Sequence, residues 1–459
     1  MLIVPVSCTQ ESEASLLPTK SEISVSGSLP VLYIETENHK PIVSKEVYLN
    51  ATYRLDPMGT EGIEPLGSKT NPLPLQIRGR GHSSWKGAKK PYKLKLQTKS
   101  SLMGLPKNKH WALLKPSENT VAGLQLGKLL DMAWTPDFRP VEVVLNGEYI
   151  GLYFLTETIR IDKNRVDIYE QQDGETNPEL IAGGWLVEID NYKDDCQITI
   201  PENNRWNLTL RYHSPETLSN QQLQWLTNEF KSINSAIYSN DKTSTEWENY
   251  LDVESIARFF IVQEVMDNPD GFHGSFYLYK DLSDNSKWIA GPIWDLVCYN
   301  REKTDYTFRM NVHYAFTPHW IGEIIQYDNF CQSVAKVWQE VYPEKLSEVY
   351  DYIDATVLPL EAAWSNDCKR WDEDPSQTAA LRAERIKIAI NRNIEWFNTH
   401  LPESPYASSL SISSMSEEDT TKVYNLQGML IGVFKNQKEA LSQLKAGVYI
   451  INGKKVKIR

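Results

Sequence analysis

Cysteine is scarce and scattered in this 459-residue chain. Cys8, Cys196, Cys298, Cys331 and Cys368 never fall into a Cys-x-x-Cys pair. That excludes a zinc ribbon and a disulfide-scaffolded mini-domain, leaving at most one or two bridges. Long apolar runs are also missing: none approaches the ~18 residues that span a bilayer. No Walker sequence is present. The net charge of -12 argues against general nucleic-acid binding. A hydrophobic content of 41% and a charged content of 24% suit a large globular protein of two or three domains.

One absence is local. From Ile77 to Ser117 there is no acidic residue, although the chain as a whole is acidic. The same window carries Arg78, Arg80, Lys86, Lys89, Lys90, Lys93, Lys95, Lys99, Lys107, Lys109 and Lys115. Its first part, from Arg78 to Ser84, is a glycine turn that can approach phosphates closely. Tyr92 to Leu96 then alternates apolar and basic, so Tyr92, Leu94 and Leu96 face a core while Lys93 and Lys95 face away. Lysines beside a glycine turn are what a nucleotide triphosphate needs. The competing reading is a solvated basic face.

The stretch from Gln263 to Asn300 organises the rest. A helix capped by Asp252 and patterned by Ile256, Phe259, Phe260 and Gln263 runs into Asn268-Pro269-Asp270-Gly271, which must turn. Phe276 to Tyr279 reads as a strand, Asp281 to Ser286 as a hairpin tip, and Lys287 to Ile289 as the return strand, with Pro292 to Asp295 ending it. Asp270 and Asp295 then stand at opposite ends of one short hairpin, where they can converge on one cleft. One carboxylate can orient an attacking hydroxyl and the other can hold Mg²⁺ on a triphosphate. The plainer alternative is a turn cap and a strand end.

Elsewhere, Val31 to Ile34 and Val47 to Tyr53 read as strands, and Leu124 to Ala133 as a short helix. Val141 to Leu145, the Asn146-Gly147 turn and Tyr149 to Leu155 form a hairpin. Glu157, just past it, is placed to pair with a lysine of the basic strand. Gly183 to Asp190 is a central strand, in which Glu188 is either a paired buried acid or an outward one. Asn204 to Glu254 reads as mostly helical. An amphipathic helix carrying Leu381, Ile386, Ile390, Ile394 and Phe397 ends near Pro402, with helices around Val334 to Trp338 and Tyr350 to Leu358 as partners.

The termini suggest export. The start is apolar up to Cys8, which follows a small residue and precedes a polar stretch. It resembles the end of a bacterial lipoprotein signal with Cys8 as the lipidated residue; the alternative is a frayed terminus. A Ser-rich linker separates the last forty residues, which read as short strands with Asn-Gly turns and resemble a shortened type IX secretion sorting module.

Taken in order, the motifs are Arg78-Gly; Ser83-Ser84-Trp85; Lys89-Lys90-Pro91-Tyr92-Lys93; Asn146 to Glu157; Gly183 to Asp190; Asp270; Phe276 to Tyr279; and Trp294-Asp295. Together they resemble the CotH family of spore-coat and surface proteins, which are atypical secreted kinases. The resemblance implies an α+β fold: a bilobal protein-kinase-like domain with antiparallel sheets and a helical lobe, to which the sequence adds a small all-β C-terminal appendage. The segments are 1–27 signal remnant, 28–401 kinase-like domain, 402–421 linker and 422–459 appendage. The resemblance also implies ATP with Mg²⁺ or Mn²⁺ and a protein acceptor, with the chain itself as one candidate; the termini add a place at the cell envelope, with a lipid anchor as the only membrane contact. Asp270 matches the catalytic acid, with Asp267 as a rival. Asp295 matches the metal acid. Arg78, Lys93 and Glu157 fall in the nucleotide lobe, with Lys90 as a rival to Lys93.

Three positions depart from the family pattern. Ser275 stands where an Asn is usual, Val297 replaces a second Asp, and no Arg lies between Trp111 and Phe138. Ser275 and Val297 favour a second class of reading, a non-catalytic surface module that binds protein or glycan. A third, a glycoside hydrolase using Asp270 and Asp295, leaves the basic window unexplained.

Overall fold

A computed structural model describes residues 23–190, 196–200, 207–298, 320–404, 421–425, 430–434, 437–445, 447–451 and 454–458. Cys8 and residues 405–420 of the linker lie outside these. The chain divides into two compact units, Met1–Pro405 and Tyr406–Arg459.

The first unit begins with a barrel. Its strands are β1 (Val31–Thr36), β2 (Leu49–Asp56), β3 (Leu73–Gly79), β4 (Tyr92–Ser100), β5 (Asn108–Leu114), β6 (Phe138–Leu145) and β7 (Glu148–Glu157), closed in the order β1-β2-β3-β4-β5-β7-β6. Closure removes open sheet edges. The two-residue period sorts the side chains. Leu75, Ile77, Tyr92, Leu94, Trp111, Tyr153 and Leu155 fill the interior. Leu152 and Phe154 of β7 point outward and join the core of the helices that follow. β7 is thus buried on both faces, which is why its sequence reads as a nearly unbroken apolar run.

Helix α1 (Glu118–Leu129) starts six residues before the expected Leu124, because the Ser117 hydroxyl accepts the Asn119 N–H at 3.2 Å and caps it there. Then come α2 (Pro178–Ile181) and a second sheet: β8 (Trp185–Ile189), β9 (Gln197–Ile200), β10 (Leu208–Ser214), β11 (Phe276–Lys280) and β12 (Ile289–Ala290). Its order is β12-β11-β8-β10-β9, with β8 in the middle as its apolar sequence requires. β10 corrects the helical reading of its segment. Leu208 and Leu210 alternate with polar residues and pair with β8 and β9, and only from Asn220 does a helix, α3 (Asn220–Ile237), begin.

Helix α4 (Val253–Met266) is capped by Asp252, whose carboxylate accepts the Ser255 N–H at 2.7 Å. Helices α5 (Trp320–Ile324), α6 (Asp328–Val341), α7 (Glu344–Val357), α8 (Glu361–Trp371) and α9 (Ala379–Thr399) complete the unit. Helix α9 packs on α4 and α7. It also meets α6 where the Trp338 and Phe397 rings lie 4.7 Å apart.

Helix α8 fastens the barrel to the helices. Asp367 accepts the Leu152 N–H at 3.0 Å and pairs with Lys89 at 2.6 Å, and Lys89 also donates to the Leu152 carbonyl at 2.6 Å. Gly151, at φ +103°, makes room for this: a Cβ there would sit 1.9 Å from Asp367 Oδ1. Arg370 donates to the Tyr149 carbonyl at 2.8 Å and Trp371 to that of Ile150 at 3.1 Å.

The second unit is a four-stranded sheet of β13 (Thr421–Tyr424), β14 (Leu430–Phe434), β15 (Gly447–Ile451) and β16 (Lys454–Ile458), in the order β14-β13-β15-β16. It is not all-β. Gln437–Gln443 forms helix α10, rich in good helix formers, with Ala440 buried beside Val423 and Ile451.

Candidate active site

Asp295 is held by its neighbours in sequence. Ile293 and Leu296 seat on α1 at Gly123 and Gly127, where an added Cβ would lie 2.4 Å from Leu296 Cδ1 and 2.5 Å from Ile293 Cδ1 respectively. Sequence reading passed over this Gly-x-x-x-Gly spacing, yet it fixes the backbone on either side of the acid. The return strand ends at Ala290, earlier than expected, and Asp295 lies beyond it at φ 52°, a left-handed conformation that Asp tolerates better than most residues.

The Asp270 turn is pinned differently. Asn268 donates to the Gln263 side chain at 2.8 Å and accepts the Asp270 N–H at 3.2 Å. Asp270 pairs with His273 at 2.9 Å and keeps its carboxylate 46% exposed. Asp267 is fully buried at the C-cap of α4. Of the two rivals, only Asp270 can be reached by an acceptor.

A hollow of about 250 Å³ adjoins Asp295 and is also lined by Arg80, Lys115, Thr156, Trp294 and Val297. The low-polarity walls push the Asp295 carboxyl up. The Arg80 charge pulls it down, and the charges of Asp270 and Glu188 raise it further. Hence the charges of Asp270 and Glu188 act on Asp295, although of the three only Asp295 lines the hollow. Glu188 is resolved as the buried, paired alternative: it is 4% exposed, with its carboxylate 2.7 Å from His213 Nε2.

The basic window divides into spent and unspent cations. Lys89 is locked against Asp367. Lys99 pairs with Asp162 at 2.7 Å on the exposed side. Lys90 donates to the Trp85 carbonyl at 2.6 Å and lies over that ring, so it holds its own loop. Lys93, Arg80 and Lys115 have no carboxylate in ion-pair contact among the described residues. Arg78 faces Lys93 directly across the β3–β4 pair, and its guanidinium rests over the Tyr48 ring at 5.0 Å.

Burial, then the charges of Arg78, Arg160 and Arg80, push the Lys93 ammonium down to about 8, against a pull from Glu216. Burial, then the charges of Arg160, Lys93, Lys95 and Arg165, push His110 down to about 3, so it is neutral at physiological pH. Lys93 is charged below its pKa, and an anion beside it raises that pKa. Affinity for an anion whose own charge is fixed in this range, such as sulfate, therefore falls up to about tenfold per unit above about pH 8. Lys93→Arg removes that slope. Calorimetric titration across this range checks it, and an equal slope in both proteins would assign the titration elsewhere.

Glu157 does not meet this cluster. It shares the parity of Tyr153 and Leu155, which face the barrel interior, whereas Thr156 faces the hollow. Its carboxylate accepts the Asp137 N–H at 3.0 Å and lies 3.9 Å from Arg165. The expected lysine–glutamate pair is therefore replaced by a glutamate–arginine pair, because one step along a strand reverses the face.

The donors suit a cation shared with a ligand better than a metal cage. Among the described residues no group of three or more His, Cys, Asp or Glu side chains is gathered to hold a metal. Mg²⁺ commonly takes one or two carboxylates and completes its shell with phosphate oxygens and water. One accessible acid beside unpaired cations fits that habit. Residues 76–397 match the family model described as CotH kinase protein.

The chain belongs to the CotH kinase protein family. No curated protein matches it. The family match spans most of the barrel, the second sheet and the helices, and so covers every element that builds this cleft. At two of the three departures from the CotH pattern, Ser275 adopts φ 52°, a conformation more natural for Asn, and Val297 lines the hollow with an apolar side chain.

Proposed function

We propose that this CotH protein is an atypical kinase of bilobal, kinase-like build, transferring the γ-phosphate of ATP to Ser or Thr of a protein acceptor at the cell envelope. The observation that carries the reading is the hollow in which the unspent cations Arg80 and Lys115 meet the Asp295 carboxylate, with Arg78 and Arg80 acting by charge on Lys93, and Asp270 and Glu188 acting by charge on Asp295.

Arg78, Lys93 and Lys115 grip the phosphates. Asp270 orients the acceptor hydroxyl and takes up its proton, which the exposure of its carboxylate permits. Asp295 would hold Mg²⁺ or Mn²⁺. The metal, when bound, neutralises charge on the transferring phosphoryl group. Positioning and fixed charge supply most of the rate. Cys8 as a lipid anchor and the C-terminal unit as a sorting module belong to the same proposal, and both place the chain in the envelope.

Incubation with γ-labelled ATP and Mn²⁺ tests the chemistry. Wild type labels itself or an added protein, and Asp270→Ala lowers the rate by about 10²–10⁴-fold while nucleotide affinity persists. Equal labelling removes Asp270 from its role. Ser275 and Val297 favour the second reading, a kinase-fold module that binds a protein or glycan without transfer. Retained ligand binding with no label from either protein would select it.

A further inference from the structure

Arg80 occupies a position that the sequence did not single out. It closes the Arg78-Gly79-Arg80 segment and lines the same hollow as Asp295. Its guanidinium lies over the Trp294 ring, 5.3 Å from the centroid, so the residue preceding the metal acid carries it. Among the described residues no acceptor bonds its N–H groups, and no direct ion pair joins it to Asp295. Its charge nevertheless acts on both ends of the cleft. It is the principal charge favouring ionised Asp295, and it is one of the cations opposing the charge on Lys93. Arg80 thus shares the hollow with Asp295 and acts by charge on both Asp295 and Lys93, with its donors unspent.

We infer that Arg80 couples nucleotide to metal: it offsets the Asp295 charge while the cleft lacks phosphates, and bonds the phosphate chain once a nucleotide enters. This rests on the nucleotide reading above. A cation approaching Asp295 alone meets the guanidinium as a like charge. A triphosphate draws the five-donor fork toward its oxygens and leaves Asp295 to the cation. Each ligand therefore strengthens the other, and by linkage the two enhancements are equal.

The test measures Mn²⁺ alone, ATP alone in EDTA, and each in the presence of the other, by calorimetry and by the paramagnetic signal of free Mn²⁺. In wild type the coupling is roughly 5–150-fold. In Arg80→Gln, Mn²⁺ alone binds about tenfold more tightly, ATP alone at least about tenfold more weakly, and the coupling changes from its wild-type value, leaving the part that direct metal–phosphate contact supplies. Unchanged affinities in Arg80→Gln, or weaker Mn²⁺ binding, overturn the inference. Arg80→Lys covers the case in which the Gln variant does not fold. It keeps the charge and loses the planar fork, so Mn²⁺ alone binds as in wild type while ATP weakens. Wild-type affinity for ATP in Arg80→Lys also overturns the inference. Failure of the wild type to bind either ligand would defeat the nucleotide reading itself, and this inference with it.

Discussion

Asp295→Asn removes metal-dependent nucleotide binding, whereas Lys99→Ala leaves it within about twofold. Asn is the appropriate replacement because it tolerates the left-handed backbone at this position, so the loop keeps its course over α1. What disappears is the anionic ligand. Loss of even an outer partner of a metal site costs about 10–100-fold in affinity, and direct loss of the carboxylate costs at least the upper figure. Metal-free ATP binding survives, because a negative charge near the phosphates has been neutralised while Arg78, Lys93 and Lys115 remain. Lys99 belongs to the same acid-free window but is spent on Asp162, with its side chain 58% exposed. Calorimetry with ATP and Mn²⁺ on both variants decides the matter. Equal losses would mean that the window acts as a diffuse field and not through the cleft.

Asp367→Ala gives the largest loss of stability. It strands the Lys89 ammonium, which is 4% exposed, and deprives the Leu152 N–H of its acceptor. Removing one partner of a buried pair costs about 3–5 kcal/mol. The effect is mechanical as well, because this pair ties α8 to β7 beside the cleft. Lys89→Met combined with Asp367→Leu recovers part of the loss, since no charge is then left alone. Recovery stays partial: the Leu152 amide and carbonyl both lose partners, at about 1–3 kcal/mol for each group left unsatisfied. Denaturant unfolding of the two single variants and the double variant provides the cycle. A loss below about 1 kcal/mol for Asp367→Ala would show that the pair does not fasten the barrel.

Local chemistry made much of the fold legible in the sequence. Asp252 capped its helix, Asn146-Gly147 turned its hairpin, and the apolar run of β8 lay centrally. Signals of long range were not legible. Lys89 reads like its neighbours until Asp367, 278 residues away, claims it. Glu157 reads as a partner for lysine until the register places it opposite Trp111, on the interior face. The β10 segment looks helical because Arg211 and His213, on the face of the sheet that carries Glu188, are polar, and its strand identity comes from pairing with β8. At the site, residue types pointed to Asp270, Asp295, Arg78 and Lys93. The importance of Arg80 arises only when Trp294 and Asp295 are brought beside it.

The most direct measurement is anomalous diffraction from crystals grown with Mn²⁺ and a non-hydrolysable ATP analogue. The expected map places a manganese peak against the Asp295 carboxylate, with phosphates bridging from it to Arg80 and Lys93. Manganese and phosphates elsewhere, with Asp295 bare and the two cations pointing at solvent, would contradict the shared cleft.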